Sequence, residues 1–221
     1  MRHLSKLLLL AVLAVAIGCS GGRAVTYNST IDEVERPSDA AERYGEYTVS
    51  ETDSSYVYED ELVRAGFLTS GGSVLMNVEN KTDYSVQIRL EQGAFVMPGG
   101  SSERILTGDM SYANRNDQVQ PITVPSGATT TTTLIPQSAV SMGQYGVSVA
   151  PMFEPDFLSS TGNETADDVE ANIGETFSLL LPIEIQGNVN EYTFNFEVEG
   201  ARIEGGRETE ERTIGEFPIG S

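Results

Sequence analysis

Apolar and polar residues alternate along much of this chain. Residues 74–78, 86–90, 177–185 and 192–198 carry apolar side chains at every second position. A period of two is typical of strands that bury one face, because successive side chains point to opposite sides of a sheet. We expect the first two segments to form an antiparallel hairpin around a turn at 80–83, and the last two to form a second hairpin.

Shorter apolar segments extend this pattern. Segments bounded by Gly, Pro or Asn predict strands near 94–97, 104–107, 122–124 and 146–149. Five consecutive threonines at 129–133 predict one more strand, because β-branched residues favour strands. The polar residues between these segments are expected to form loops.

The first sixty residues hold weaker signals. A short helix is expected over 38–44, with Ser38 as its cap. A first edge strand is expected from Tyr47, Val49, Tyr56 and Val57. About seven to nine short strands without a long helix are typical of an all-β fold. We predict a single immunoglobulin-like antiparallel β-sandwich over residues 56–200, with a small antiparallel β-barrel as the alternative.

The N-terminus follows a different pattern. Positive residues at 2 and 6 precede an unbroken apolar run at 7–17, which is too short to cross a bilayer but suits a secretory signal. An uncleaved anchor or a buried helix is the alternative. The run ends in Ala16-Ile17-Gly18-Cys19, and Cys19 is the only cysteine. This segment resembles a bacterial lipoprotein signal peptide with its lipobox.

That resemblance implies where the protein resides. Residues 1–18 would be removed, and Cys19 would carry the acyl chains, of which two or more are needed for stable anchoring. Ser20, in place of Asp, implies sorting to the outer membrane. We expect a lipid-anchored protein of the bacterial cell envelope, with residues 19–55 as a flexible acidic tether and residues 201–221 as a loose Gly/Glu-rich tail.

A second resemblance lies within the predicted sandwich. Segments 77–88, 99–104 and 121–127 contain an Asn-x-Thr turn, a Gly-Ser-x-Arg loop and a Val-Pro-x-Gly turn. They are similar to segments of uncharacterised bacterial envelope lipoproteins, over about residues 56–200, although the loop at 99–104 is Gly-Gly-Ser-Ser-Glu-Arg here and has one residue more between Ser101 and Arg104 than the family pattern. These are turn motifs, so the likeness implies a fold and brings no catalytic residue with it.

Charge narrows the range of partners. The formal net charge is −20. Such acidity argues against nucleic acid and anionic lipid surfaces, which both require a positive protein face. After the expected cleavage Lys81 would be the only lysine, a composition that resembles proteins of salt-loving bacteria. A cation-binding surface is the alternative interpretation of the carboxylates.

Several chemistries are excluded by residue type. The only histidine is His3, in the segment that is expected to be removed. A Ser-His-Asp triad, a Cys-His pair and histidine metal sites are therefore excluded. A Ser-Lys dyad would have to use Lys81, which lies in a predicted turn. We predict no catalytic residue, no metal ligand and no cofactor, and hence a protein that is not an enzyme.

Two charged segments could form a ligand-binding or a metal-binding site. The densest mixed-charge segment contains Arg104, Asp109, Arg115 and Asp117. It could be a ligand-binding loop, but we favour surface ion pairs, which contribute about 0–1 kcal/mol each. Oxygen ligands for Ca²⁺ could come from Asn163, Glu164, Asp167, Asp168 and Glu170. Their spacing lacks the usual calcium-loop pattern, so we interpret this segment as a solvated acidic loop.

Three Asn-x-Thr sequences occur, at Asn28, Asn80 and Asn163. We interpret them as turns, since Asn side chains readily bond to the backbone two residues further on. The expected function is that of a non-catalytic envelope lipoprotein that binds another envelope protein or polymer. The alternatives are a calcium-dependent adhesion module using residues 163–170 and a carboxylate-based envelope-glycan hydrolase. The hydrolase would require two carboxyl groups about 5–9.5 Å apart in a cleft.

Overall fold

The computed structural model describes residues 24–52, 55–110, 112–143, 146–150, 152–153, 169–204 and 212–215. The predicted signal peptide and Cys19 lie outside these residues, as does the proposed calcium loop except for Glu170.

Strands dominate the described residues, and only short helices interrupt them. The strands are β1 (Ala24–Glu35), β2 (Thr48–Glu51), β3 (Tyr56–Glu59), β4 (Val63–Ser70), β5 (Ser73–Asn80), β6 (Val86–Ile88), β7 (Ala94–Val96), β8 (Ser102–Thr107), β9 (Ile122–Val124), β10 (Thr129–Pro136), β11 (Val140–Gly143), β12 (Gly146–Val149), β13 (Thr176–Ile185), β14 (Asn188–Glu204) and β15 (Arg212–Gly215). The α-helix α1 (Ala40–Tyr44) follows β1, and 3₁₀ turns occupy Leu90–Gln92, Tyr112–Asn114 and Gln137–Ala139.

Thirteen strands form one antiparallel sheet in which the order is β1-β14-β13-β7-β8-β10-β5-β4-β3-β2. Strand β15 pairs with β14, and β6 pairs with both β13 and β9. Strand β8 pairs with β7 through its first half and with β10 through its second half. A strand shared in this way turns a sheet from one layer into the other. The predicted antiparallel all-β class is confirmed, and the sheet is nearly closed, as in a barrel.

The core lies between the two layers and is rich in aromatic rings. The ring of Phe67 on β4 lies 4.6 Å from that of Phe194 and 5.6 Å from that of Phe196, both on β14. Phe196 also stacks on Phe177 of β13 at 4.7 Å. Aromatic pairs of this kind contribute about 0.5–1.5 kcal/mol beyond the burial of their area. Cross-layer ring contacts thus hold β4 against β14.

The alternation of apolar and polar residues predicted several strands correctly. Strands β13 and β14 form the predicted hairpin, in continuous register from Thr176 opposite Glu197 to Ile185 opposite Asn188. The threonine run forms β10. The expected edge strand is only partly correct: Val49 lies in β2 at the end of the sheet, whereas Tyr56 and Val57 lie in β3, which pairs with both β2 and β4. Helix α1 is present too, although its N-cap is Asp39 and not Ser38.

The predicted hairpin between 74–78 and 86–90 is wrong. Strand β5 pairs with β4 and β10, whereas β6 pairs with β13 and β9. The turn between them carries the chain from one part of the sheet to another. Alternation of apolar residues shows which face of a strand is buried, but it does not identify the neighbouring strand.

The predicted tether is wrong for residues 24–52, because they belong to the fold. Strand β1 pairs with β14 along its length, and Tyr27, Ile31 and Val34 are buried. Register shifts at Asn28/Ser29 and Ile31/Glu33 space these apolar residues by four and three positions, and such irregularities hide the period of two. The predicted tail is wrong for residues 201–204 and 212–215, which belong to β14 and β15.

The buried side chain of Asn80 connects its own turn to the Val-Pro-x-Gly turn at 124–127. The side chain of Asn80 donates to the carbonyl oxygens of Tyr84 at 2.7 Å and Val124 at 3.0 Å. Its oxygen accepts from the backbone N–H and hydroxyl of Thr82. The hydroxyl of Ser126 donates to the Thr82 carbonyl at 2.7 Å. The turn interpretation is confirmed for Asn80.

The other two Asn-x-Thr sequences do not share this role in the described structure. Asn28 lies within β1, so its turn interpretation is wrong. Asn163 lies outside the described residues.

Replacing Asn80 should weaken the fold markedly. The Asn80→Ala change removes partners from the Val124 carbonyl and the Thr82 N–H, so we expect the free energy of unfolding to fall by about 2–4 kcal/mol. The control is Asn77→Ala, since Asn77 is exposed and makes one side-chain bond, to Thr131 at 2.7 Å; its loss should cost less than about 1 kcal/mol. Urea denaturation measures both. Equal losses would contradict the role assigned to Asn80.

Candidate functional site

A cleft opens between the loop at 108–120 and strands β8, β9 and β10. Its volume is about 510 Å³. The residues that line it are Thr107, Asp109, Met110, Asn114, Asp117, Gln118, Val119, Gln120, Ile122 and Thr132. Val119 is buried, and Met110 and Ile122 are half-buried, whereas Asp109, Asn114 and Asp117 are exposed. The cleft therefore has an apolar floor and a polar rim.

Hydrogen bonds from both arginines of the mixed-charge segment hold the loop. Arg104 Nη2 donates to the carbonyl of Asp117 at 2.8 Å. Arg115 Nη1 donates to the carbonyl of Tyr112 at 3.1 Å, and its guanidinium lies 3.9 Å from the centre of the Tyr112 ring. Outside the loop, Gln137 Nε2 donates to Asn116 Oδ1 at 3.2 Å. The wall of the cleft is thus held by side chains that do not point into it.

This arrangement changes the interpretation of the mixed-charge segment. Among the described residues, none of Arg104, Asp109, Arg115 and Asp117 takes part in an ion pair. The two carboxylates line the cleft, and the two arginines brace the loop. The interpretation as surface ion pairs is therefore wrong for the described residues, and the segment borders a cleft.

A second feature is an exposed apolar area, here called the outer apolar surface. Leu68 and Leu75 face each other across β4 and β5 and are 39% and 38% exposed. On the ribbon formed by β11 and β12, Met142 and Val147 also face each other, and they are 56% and 55% exposed. Val149 shares their face of the ribbon, because it lies two residues from Val147.

The ribbon and the β4–β5 hairpin touch at the hairpin turn. A Cβ placed on Gly72 would lie 1.8 Å from the carbonyl oxygen of Ala150 and 2.9 Å from a methyl group of Val149. Only glycine permits this approach. The backbone N–H of Ala150 also donates to Ala139 at 2.7 Å, which fixes the end of the ribbon. The contact at Gly72 thus places the end of the ribbon against the turn of the hairpin that carries Leu68 and Leu75.

A third feature is the buried carboxylate of Asp60 in the turn between β3 and β4. Asp60 Oδ2 accepts hydrogen bonds from Tyr58 at 2.7 Å and Tyr192 at 3.1 Å. Asp60 Oδ1 accepts from the backbone N–H groups of Leu62 at 2.8 Å and Val63 at 2.9 Å. Tyr58 and Tyr192 lie in different parts of the sheet, so this one side chain connects them.

Arginine completes this cluster. Arg36 Nη1 lies 3.9 Å from Asp60 Oδ2 and donates to the carbonyl of Gly45 at 3.0 Å. Its guanidinium also lies over the ring of Tyr47. The Asp60 side chain is fully buried and that of Arg36 is 9% exposed. Removing one partner of a buried charge pair typically costs about 3–5 kcal/mol, so the cluster has a structural role.

The two tyrosines of the cluster act as hydrogen-bond donors. Burial raises the pKa of Tyr58, and the hydrogen bond to Asp60 raises it further. Burial also raises the pKa of Tyr192, with the charge of Asp60 as the next cause. Both hydroxyls thus keep their protons at neutral pH, which makes them poor general bases.

The lysine considered for a Ser-Lys dyad is bound to other groups. Lys81 Nζ donates to Glu59 Oε1 at 2.8 Å and to the carbonyl oxygen of Asp60 at 2.6 Å. The hydrogen bond from Lys81 lowers the pKa of the Glu59 carboxyl. Lys81 therefore serves to hold β3 and its turn next to the end of β5.

Comparison with known proteins finds no matching family model, no matching curated protein and no matching solved structure. Within the described ranges, no helix is long and apolar enough to cross a membrane. No group of three or more acidic, histidine or cysteine side chains in those ranges is placed to hold a metal ion.

Alkaline pH should destabilise the fold through the buried tyrosines. Below the ordinary tyrosine pKa of 10.0 both hydroxyls are neutral, folded or unfolded. Above it the unfolded chain releases two protons that the folded chain retains until its own raised pKa is reached. The free energy of unfolding should then fall by about 1.4 kcal/mol per pH unit for each tyrosine. Urea denaturation between about pH 8 and pH 11 measures this slope.

Two variants isolate the contribution of the cluster. Tyr192→Phe should make the alkaline slope shallower by about 1.4 kcal/mol per pH unit, because one proton fewer is released. Tyr84→Phe is the matched control, because Tyr84 is 56% exposed, whereas the Asp60 carboxylate accepts from Tyr58 and Tyr192. Identical slopes in the two variants would show that Tyr192 does not retain its proton in the folded state.

Proposed function

We propose that this chain is a non-catalytic binding protein of the bacterial cell envelope, anchored through lipid on Cys19, and that its partner is another envelope protein. The observation that carries the proposal of a partner is the outer apolar surface. The resemblance of the N-terminus to a lipoprotein signal supports the proposed location at the outer membrane.

The exposed side chains favour a protein partner. Monomeric soluble proteins rarely expose contiguous apolar patches larger than a few hundred Å², and exposed apolar side chains that cluster beyond that size commonly mark a binding surface. Leu68 and Leu75 extend from one strand pair, and Met142, Val147 and Val149 from the adjoining ribbon. Large apolar side chains brought together in this way can dock into complementary pockets of a protein, whereas a soluble polymer of polar units gains little from them.

Charge indicates the chemistry of that partner. The chain has a formal net charge of −20, so a second copy would bring two strongly acidic proteins together. Like charges brought together at an interface cost binding energy. We therefore infer a different protein, with an apolar patch inside a neutral or basic rim. High salt would weaken the repulsion between two acidic copies, but it would not create an attraction between their surfaces.

The position of β1 supports a short attachment to the membrane. Strand β1 begins at Ala24. Five steps of an extended chain separate it from Cys19, which limits the Cα–Cα distance to about 18 Å. If Cys19 carries the lipid, the sheet is therefore held close to the bilayer surface. A partner in or on the same membrane would then be within reach.

Hydrolysis of envelope glycans is the second candidate, because Asp109 and Asp117 line one cleft. Both side chains are exposed. A glycosidase general acid is usually desolvated, so that it keeps its proton near neutral pH. The release of reducing sugar from envelope glycans by purified protein would favour this candidate over the first.

Cross-linking in intact cells tests the partner. A photoreactive amino acid at Leu75 should capture one dominant envelope protein, identified by mass spectrometry. The double change Leu68→Ser and Leu75→Ser should weaken binding of the purified partner by about tenfold or more, because two interface leucines are lost. Val189→Ser is the matched control, since Val189 is 45% exposed and lies on β14, outside the outer apolar surface. Equal weakening by both variants would rule out this surface.

A separate measurement tests the anchor. Labelled palmitate should be incorporated into the unaltered protein and not into Cys19→Ala, because the variant has no thiol to which an acyl chain can be attached. Absence of label from the unaltered protein would overturn the proposed anchoring without affecting the test of the outer apolar surface.

A further inference from the structure

We propose that the cleft beside the loop at 108–120 binds a neutral polyhydroxylated ligand, a short saccharide. This site is distinct from the outer apolar surface. Thr133 lies opposite Leu75, so the two side chains share a face of the sheet. Thr132 lines the cleft and therefore points to the other side of β10. The cleft and the side chain of Leu75 therefore lie on opposite faces of the sheet formed by β5 and β10.

The lining provides the hydrogen bonds that hydroxyl groups need. Most lining side chains are polar, and the amides of Asn114, Gln118 and Gln120 each offer both donors and acceptors. Thr107 and Thr132 add hydroxyls, and the two carboxylates add strong acceptors. A sugar hydroxyl also donates and accepts at once.

The floor suits the less polar face of a sugar ring. Val119 is 4% exposed, and Met110 and Ile122 pack against the core. Ring C–H groups could lie on these side chains while hydroxyls reach the rim. A volume of about 510 Å³ falls within the range of about 300–1,000 Å³ that is typical of small-molecule sites.

Charge excludes anions and disfavours small cations. Neither lysine nor arginine lines the cleft, and the carboxylates of Asp109 and Asp117 would repel a phosphate or a nucleotide. A small cation would gain only about 0–1 kcal/mol from each exposed carboxylate. A neutral ligand that forms several hydrogen bonds and covers the floor gains more, because each net hydrogen bond contributes about 0.5–1.5 kcal/mol.

Hydrogen bonds fix the rim of the cleft. Arg104 holds the carbonyl of Asp117, and Gln137 holds the side chain of Asn116. The backbone N–H of Asp117 donates to the carbonyl oxygen of Asn114 at 2.8 Å and closes the turn between these residues. Asn114 and Asp117 both line the cleft. A rim fixed by such bonds loses little conformational freedom on binding.

Ligand-observed NMR and titration calorimetry on the purified full chain test the proposal. The probes are chitobiose, maltose and cellobiose as neutral saccharides, with spermidine and inorganic phosphate as charged probes. We expect at least one saccharide to bind, with an affinity that stays constant between about 0.1 and 1 M salt, because screening weakens only charged interactions. Binding of a charged probe alone, or of none of the five, would overturn the proposal.

Variants locate the binding. The double change Asn114→Ala and Asp117→Ala should weaken saccharide binding by about tenfold, which corresponds to about 1.4 kcal/mol. Asp83→Ala is the control, because Asp83 is an exposed aspartate in the turn after β5, away from the cleft. Circular dichroism checks that each variant remains folded. Unchanged binding in the double variant, or equal weakening in the control, would place the saccharide elsewhere and overturn the proposal.

Discussion

The buried carboxylate of Asp60 is the interaction on which the arrangement of the sheet depends. Its oxygens accept from Tyr58 on β3, from Tyr192 on β14 and from two backbone N–H groups of the following turn. Arg36, from the segment after β1, supplies the opposite charge. An ion buried without these partners would cost several kcal/mol. The chain can bury Asp60 only where β3, β14 and the N-terminal segment meet, so the cluster specifies that meeting point.

The path of the chain around the sheet determines the positions of the cleft and of the outer apolar surface. Strand β8 belongs to both halves of the sheet, and the loop after it is carried over β10 to form one wall of the cleft. The β4–β5 hairpin projects far enough to meet the β11–β12 ribbon at Gly72. Thr132 lines the cleft and Thr133 lies opposite Leu75, so the cleft and Leu75 lie on opposite faces of the sheet formed by β5 and β10. A saccharide and a protein partner could be bound at the same time.

Much of the fold could be predicted from local pattern, and the failures have identifiable causes. Strands β13 and β14 alternate without interruption and are joined by a short turn, so both their existence and their pairing were predictable. Strand β1 was missed because two bulges break its alternation. The pairing of β5 and β6 was mispredicted because a turn such as that at Asn80 can redirect the chain instead of reversing it. The cleft had only one signal, the mixed charges around Asp109 and Asp117.

The sequence by itself determined the all-β class, the buried face of each regular strand, the absence of histidine and thiol chemistry after residue 19, and the strongly acidic surface. These properties depend on residue type and on spacing along the chain, which are local. Within the described residues, only the tertiary structure decided that Asp60 is buried, that Asp109 and Asp117 line a cleft and that the β4–β5 hairpin meets the ribbon at Gly72. Those outcomes depend on contacts between residues that are far apart in sequence. Neither the amino-acid composition nor the alternation of apolar and polar residues contains information about such contacts.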